Sequence, residues 1–403
     1  MRRSLVVAAL VALPSPLAAQ WSLVERDAWS LELGGYVRAL TAVHDLGYDA
    51  STLDRQSAFN GQVVRLKWTA RGQGWFLEVH DRFQGTVSSA GAGGGPAVGF
   101  GVSAVPDRTV DLESTLLEGE RYRVWHDLDR LALTLYTRAA DVTLGRQAIT
   151  WGISSLFPVA DLWARFSPFE LDTEEKPGID AVRVLAYPGE GVELDVVVAD
   201  RGSARNLSAG ARVTWSLGEA DLYGAAAKLW REAIVMVGAT YLLDEVSLRA
   251  EAAFPYDVDD QAGDTPRVTA GAAWLRGSWA LTGELHLNGI GASDPGGYPK
   301  LLLDPRLARG ETYHLGRWMG GAAVGYSSTD RLALSLVWLA NLSDHSAALM
   351  PGLVYDFGQN ARVSLGGLVS AGDEPVFPFG IPVLKSEFGA YGSLGWTQVS
   401  VYF

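Results

Sequence analysis

The chain has 403 residues, a formal net charge of −13, 46 Gly, 14 Trp, 14 Tyr and no Cys. The acidity argues against nucleic acid as a partner. The lack of Cys excludes disulfides, iron–sulfur clusters and haem attached through a Cys-x-x-Cys-His motif. No stretch after the first twenty residues approaches eighteen uninterrupted apolar residues, so no transmembrane helix is expected. Abundant Gly and aromatic residues at a mean hydropathy near zero are typical of a barrel that is apolar outside and polar inside.

Residues 1–20 have the composition of a secretory signal peptide. Arg2 and Arg3 form a charged start, an apolar run follows over 5–13, and Ala18 and Ala19 precede the expected cleavage point. The apolar run is too short to span a bilayer as a helix. We therefore expect residues 21–403 to form the mature domain, with a membrane anchor or a buried strand at 1–20 as the alternative.

The rest of the chain alternates apolar and polar residues in strand-length segments, the period of two expected of β-structure. Eighteen such segments are separated by turn residues such as Gly and Asp. They lie near 28–40, 63–70, 75–83, a segment ending at 136, 142–150, 181–186, 192–199, 207–217, 220–229, 233–242, 246–254, 267–275, 279–287, 313–327, 332–340, 346–357, 362–370 and 395–403.

The connections between these segments alternate between short turns and longer loops. Every connection after an even-numbered strand has only a few residues, and the longest of the others lie near 41–61, 84–119, 151–179, 288–312 and 372–393. Outer-membrane barrels show this asymmetry, with short periplasmic turns and longer external loops. The sequence thus predicts an all-β, antiparallel up-and-down transmembrane barrel of about 18 strands, with 16 as the alternative.

The last segment supports closure of the sheet. Val399, Val401 and Phe403 point to one face, and the chain stops within the strand. Because unpaired backbone groups are costly in hydrocarbon, this strand needs to pair with the first one. The terminal Phe403 resembles the assembly signal of bacterial outer-membrane barrels, although a last strand in a soluble sandwich is the alternative.

The connection after the fifth strand carries the most specific motif. A Gly-Arg-Gln step is followed by Trp-Gly, an aromatic-Pro-x-x-Asp loop and Pro-Gly before the next strand. These places are occupied by Gly145, Arg146, Gln147, Trp151, Gly152, Phe157, Pro158, Asp161, Pro177 and Gly178. Over these forty or so residues the chain resembles Gram-negative outer-membrane porin-like proteins, including alginate-export-type channels. The resemblance implies an 18-stranded barrel in the outer membrane and names no substrate.

The same connection is too apolar and too rich in Pro to stay in solvent. We expect it to fold into the lumen and narrow the pore, with packing on the rim as the alternative. The predicted constriction residues are Arg146, Gln147, Trp151, Phe157, Asp161, Arg165 and Glu170.

Charged residues that alternate with apolar ones are expected to face the lumen, because a charge on the lipid face costs about 2–4 kcal/mol at the midplane. The predicted lumen charges are Arg65, Lys67, Glu78, Arg82, Arg183, Arg212, Arg249, Glu251 and Glu284. Opposed acidic and basic rows orient a polar solute, whereas pairing across strands to stiffen the wall is the alternative for any one residue.

These observations favour an outer-membrane channel for passive passage of small polar or anionic solutes. A plugged surface receptor or a scaffold barrel is the alternative, followed by a lipid-modifying barrel enzyme. We predict that the protein is not an enzyme and has no cofactor and no metal site, since its six His show no ligand spacing. The expected partners are outer-membrane lipid, lipopolysaccharide, the barrel-assembly machinery and a small polar solute.

Overall fold

The computed structural model describes residues 20–49, 54–91, 108–167, 169, 174–203, 205–258, 262–263 and 265–403. Residues 1–19 of the predicted signal peptide and the predicted constriction residue Glu170 lie outside these ranges. No helix among the described residues is long and apolar enough to cross a membrane.

Eighteen long antiparallel strands of the described chain form one closed sheet in which sequence neighbours pair. The barrel closes where β18 pairs with β1, from Tyr36 opposite Tyr402 to Asp45 opposite Ser393. This confirms the predicted up-and-down barrel of 18 strands. The strands are β1 (Trp29–Asp45), β2 (Gln56–Gly72), β3 (Trp75–Ser88), β4 (Tyr122–Tyr136), β5 (Ala140–Gln147), β6 (Ile179–Gly189), β7 (Val192–Ala199), β8 (Ser208–Leu217), β9 (Ala220–Leu229), β10 (Glu232–Leu243), β11 (Val246–Asp257), β12 (Arg267–Arg276), β13 (Trp279–Leu287), β14 (Trp318–Thr329), β15 (Leu332–Asn341), β16 (Ser346–Phe357), β17 (Ala361–Ala371) and β18 (Ser393–Tyr402).

Three short strands add to the edges of this sheet. Gln20–Arg26 pairs with the first part of β1, Glu113–Glu118 pairs with β4, and Ala262–Gly263 pairs with the end of β11. The sequence did not predict them. Each is short or lacks a sustained alternation of apolar and polar residues, which is the signal on which strand prediction depends.

The alternation of side chains separates a lipid face from an inner face. On β10, Ile234 and Met236 are buried, whereas the alternate residues Val235 and Val237 are 54% and 45% exposed. Exposed apolar side chains recur in this way around the barrel, as an apolar outer band requires. The hydrophobic pattern therefore places the charged residues of the same strands toward the interior.

Several strands run further than the apolar pattern predicts. β1 continues to Asp45 and β2 begins at Gln56, with polar residues such as His44 and Asn60 in the added parts. Backbone pairing continues there because the hydrogen bonds between strands do not depend on the side chains. The long connection after β13 holds two short helices, α1 (Tyr298–Leu301) and α2 (Pro305–Ala308).

Candidate functional site

The connection between β5 and β6 crosses the barrel interior over its described residues, 148–167, 169 and 174–178, and is called the inner loop here. Near its start, the indole Nε1 of Trp151 donates a hydrogen bond to Asp195 on β7 at 2.8 Å. Further along, the backbone N–H of Phe157 donates to Glu284 on β13 at 3.0 Å. One short segment can reach walls so far apart around the circumference only from the inside.

Glu284 holds the turn of the inner loop. Its two carboxylate oxygens accept the backbone N–H groups of Ser155, Leu156 and Phe157 at 2.6, 2.9 and 3.0 Å. The side chain is almost fully buried. A carboxylate that accepts several backbone N–H bonds fixes the backbone that donates them.

Glu251 on β11 makes a second attachment of the same kind. It accepts the backbone N–H of Ile153 at 3.1 Å and that of Val159. The Tyr223 hydroxyl donates to the same carboxylate at 3.1 Å. Glu284 thus binds the turn and Glu251 binds the chain on both sides of it, so these two predicted lumen charges hold the loop in place.

One side of the inner loop packs on the wall formed by β6 to β11. Trp151 and Trp163 are both 1% exposed, and their rings meet edge to face with centroids 5.1 Å apart. Buried aromatic pairs of this geometry add stability beyond the area they bury. The surrounding wall residues of this cluster are Ile179, Ala181, Val197, Ala199, Tyr223, Ala225, Ala227, Leu229, Ile234, Met236 and Ala253.

The other apolar side packs on the opposite wall. The Phe157 ring stacks on the His286 ring with centroids 5.2 Å apart and an interplanar angle of 7°. Phe169 meets Tyr391 edge to face at 5.2 Å and Phe388 at 6.2 Å. The loop therefore bridges two hydrophobic clusters across the lumen, which leaves it little freedom to swing outward.

The end of the inner loop carries acidic residues against basic residues of the wall. Glu174 forms an ion pair with Arg38 on β1, and Glu175 forms one with Lys67 on β2. Arg130 on β4 lies 3.5 Å from Glu175. Ion pairs thereby join the loop to β1, β2 and β4, on a third side of the barrel.

The neighbouring cations lower the pKa of Glu175. Burial raises the pKa of the carboxyl, but the hydrogen bond from Lys67 and the charges of Lys67 and Arg65 outweigh burial and hold it below its ordinary value. The carboxyl is therefore ionised at neutral pH.

Arg146 and Gln147, predicted for the constriction, lie in the wall where the inner loop begins. The Arg146 guanidinium donates to Asp180 at 2.8 Å and to the Leu128 carbonyl at 2.8 Å. The Gln147 amide donates to the Ala181 carbonyl at 3.2 Å. Both side chains are buried, so they join the base of the loop to neighbouring strands; a part in solute passage stays a prediction.

Asp161 and Arg165, also predicted for the constriction, lie within the inner loop. Asp161 pairs with Lys176 at 2.5 Å, and Lys176 also donates to the Ile149 carbonyl at 2.8 Å. Burial lowers the pKa of Lys176 below its ordinary value, with the Asp161 charge opposing. Arg165 donates to the Glu311 carbonyl at 3.0 Å, which joins the loop to the long connection after β13.

Several wall charges keep contact with water beside the inner loop. The side chains of Lys67, Glu78 and Arg183 are 28%, 31% and 23% exposed. Glu78 pairs with His80 at 2.9 Å, and Arg183 pairs with Asp195 at 2.7 Å. Charged groups of both signs therefore remain solvated at this level of the barrel.

Three of the predicted lumen cations are held by neutral groups. Arg249 donates to the Ser155 hydroxyl of the inner loop at 2.7 Å. The Arg212 guanidinium lies over the Tyr223 ring at 4.5 Å, and Arg82 donates to the Gln84 side chain. Within the described ranges none of these three arginines has a carboxylate partner, so each leaves positive charge on the wall.

Sequence reasoning missed Arg38, Glu174 and Glu175 as members of this site. The acidic pair is separated by one residue, Lys176, from the Pro-Gly step of the motif. Two adjacent carboxylates on a segment expected to enter a lumen with the basic pair Arg65 and Lys67 were a usable signal for charge pairing.

No protein-family model matches the sequence, and neither does any curated protein. Solved structures do match in fold. A BenF-like porin from Pseudomonas fluorescens is 10% identical, with a TM-score of 0.57 over 93% of this chain and 98% of that one. OccAB3 of Acinetobacter baumannii is 11% identical, with a TM-score of 0.56 over 93% and 99%. The outer-membrane protein OpdK of Pseudomonas aeruginosa is 10% identical, with a TM-score of 0.55 over 93% and 98%.

These matches span nearly the whole length of each barrel at low identity, so they bear on the fold. They agree with the closed antiparallel sheet of this chain. The chain therefore has the porin-like β-barrel fold of Gram-negative outer-membrane proteins.

Proposed function

We propose that the protein is an outer-membrane channel through which small polar or anionic solutes pass by diffusion, with the inner loop narrowing the lumen. One observation carries this proposal. Solvated charges of both signs, such as Lys67 and Glu78, border a loop that is fixed inside the barrel rather than hanging outside it. A narrowed passage lined by charge is the arrangement that channels use to select solutes.

The distribution of wall charge supports anionic as well as neutral polar solutes. Arg212 and Arg249 lie on the inner face without a carboxylate partner among the described residues. Fixed positive charge in a cleft with low-dielectric walls raises the local concentration of anions. Porins among the structures of the same fold give this proposal further support.

The outer face and the chain end support the remaining part of the proposal, a location in the outer membrane. Exposed apolar side chains such as Val237 would contact lipid and lipopolysaccharide. Phe403 pairs with Gly35 through two backbone hydrogen bonds, of 2.7 and 3.0 Å, at the seam of the barrel. We expect Phe403 to serve as the signal for the barrel-assembly machinery.

Deleting residues 156–169 tests the role of the inner loop. In a folded barrel the deletion is expected to raise single-channel conductance in a planar bilayer, because the segment that bridges the lumen is gone. A deletion of 377–382, the tip of an external hairpin closed by pairing between Val376 and Val383, provides the control. Unchanged conductance in the folded loop deletion would exclude the inner loop as the constriction.

A blocked barrel that acts as a receptor or scaffold is the second candidate. The apolar packing of Trp151 and Trp163 on one wall and of Phe157 on the other favours it, because both sides of the loop are buried. Such a barrel would be silent in a bilayer although folded. Conductance therefore separates the two candidates.

A further inference from the structure

Two neighbouring carboxylates of the inner loop lie directly on a group of cations of the barrel wall. We propose that Glu174 and Glu175 set the ionic selectivity of the lumen. Each carboxylate forms an ion pair with these cations at the position where an anionic solute would otherwise bind. The inference rests on the proposed channel function and adds the residues that tune it. Neither residue belongs to the constriction motif identified in the sequence.

The cations form one cluster on adjacent strands. Arg38 comes from β1, Arg65 and Lys67 from β2, and Arg130 from β4. The buried ring of Tyr36 supports three of them, with centroid distances of 4.6 Å to Arg38, 5.5 Å to Lys67 and 5.9 Å to Arg65. A ring face attracts cations, so it holds these like charges close together. We call these four cations the cationic cluster.

The wall itself supplies part of the balancing charge. Asp129 on β4 pairs with Arg65 at 2.6 Å, and both side chains are 2% exposed. That ion pair is closed to solvent and joins neighbouring parts of the barrel wall. Glu174 and Glu175 come instead from the loop, and they add the carboxylates that face the open side of the cluster.

Exposure shows which groups meet water. The Glu174 side chain is 31% exposed and that of Glu175 is 17% exposed, whereas Arg38 behind Glu174 is 4% exposed. Glu174 therefore lies between Arg38 and the lumen water, whereas Lys67, at 28% exposed, reaches the water beside Glu175. An anion that enters meets the negative charge of each carboxylate at the cations with which it pairs.

The two carboxylates compete with a free anion for the cationic cluster, and their covalent attachment to the chain gives them the advantage. A tethered group acts at a high effective concentration and is hard to displace by a free ligand. A single small anion therefore competes poorly with the pair. Removing both charges is expected to convert the covered cluster into an open anion site, and solutes with two neighbouring negative charges would gain most.

The first test is the reversal potential of the double variant E174Q/E175Q under a KCl gradient. Glutamine keeps the size of each side chain and removes its charge. We expect the chloride-to-potassium permeability ratio to rise several-fold over the wild-type protein. The control E190Q/E219Q makes the same charge change in exposed short turns and should leave the ratio unchanged. A conducting double variant with wild-type selectivity would overturn the proposal.

The second test does not depend on conduction. Inorganic phosphate is added to folded protein, and the unfolding midpoint is compared with that in chloride at matched ionic strength. Phosphate should raise the midpoint of E174Q/E175Q clearly more than that of the wild type, because the uncovered cationic cluster binds it. Equal responses would overturn the inference. If no variant conducts, the channel proposal fails, while the phosphate comparison still decides whether the carboxylates cover an anion site.

Discussion

Glu284 on β13 accepts the backbone N–H of Phe157 at 3.0 Å, and this contact joins the inner loop to the far wall of the barrel. Because the donor is backbone, the bond is independent of the side chain at that position of the loop. A charge that alternation places toward the lumen thus fixes a structural element there. Glu251 does the same from β11.

Replacing Glu284 by Gln should loosen the inner loop. The amide offers one acceptor oxygen in place of two and brings its own N–H groups toward the N–H groups of Ser155 and Leu156. Hydrogen bonds to a charged group contribute about 1.5–3 kcal/mol each, so the loop loses several of them at once. We expect frequent current fluctuations in single-channel records of E284Q.

The matched control is Glu193→Gln. Glu193 lies on the same face of β7 as Asp195 and makes no hydrogen bond to the loop's turn among the described residues. Its record should resemble that of the wild type. A quiet E284Q channel would show that the carboxylate does not hold the loop.

Replacing Arg146 by Ala should destabilise the barrel strongly. Arg146 is buried, and its guanidinium binds Asp180 and two backbone carbonyls, those of Leu128 and Val110. Removing one partner of a buried ion pair costs about 3–5 kcal/mol, because the other charge stays behind. Urea unfolding of the purified barrel measures the change in the free energy of unfolding.

Arg362→Ala is the comparison for that variant. Arg362 pairs with Asp356 at 2.7 Å, but both side chains are substantially exposed. Exposed pairs contribute about 0–1 kcal/mol. Similar losses in the two variants would contradict the anchoring role of Arg146.

The strands, and the alternation of short turns and longer loops between them, could be predicted because a bilayer imposes a simple rule. Lipid on one face demands an apolar residue at every second position, and β10 with Val235 and Val237 follows it. The rule ends where the chain leaves the bilayer. Consequently the polar extension of β1 to Asp45 and the short strand Gln20–Arg26 could not be predicted from alternation.

The candidate site was predictable in its location but not in its contacts. The apolar motif around Trp151 and Phe157 indicated a loop inside the barrel. The wall residue that accepts each hydrogen bond from the loop depends on the strand register and on the path of the loop. Local sequence periodicity predicts neither of them. Thus Glu251 was predicted to face the lumen, but its bond to the Val159 N–H was not.

A charge on the lipid face should be costly at mid-strand. Val237 lies near the middle of β10 and is 45% exposed on the apolar face. Val237→Lys is expected to lower the free energy of unfolding by about 2–4 kcal/mol in lipid vesicles. Leu303→Lys, at a loop position that is 86% exposed, should change the free energy of unfolding by only a few tenths of that amount. Equal effects would place Val237 outside the bilayer.

Ionic selectivity should change with pH only in acid. Burial raises the pKa of Glu175, but the Lys67 hydrogen bond and the charges of Lys67 and Arg65 hold it below its ordinary value of 4.5. The stabilisation from this ionised carboxyl is complete above pH 4.5 and is lost as the pH falls through the lowered pKa. The reversal potential should stay constant from pH 7 to 5 and shift toward anions below 4.5. A midpoint near neutral pH would contradict this assignment.

Single-channel recording of the purified, folded protein in a planar bilayer tests the central claim most directly. Folding is verified beforehand from the mobility of heated and unheated samples on a denaturing gel. The account predicts discrete conductance steps that grow when residues 156–169 are deleted. A folded wild-type barrel that stays silent, and that conducts only after the deletion, would contradict a channel and identify the inner loop as a plug.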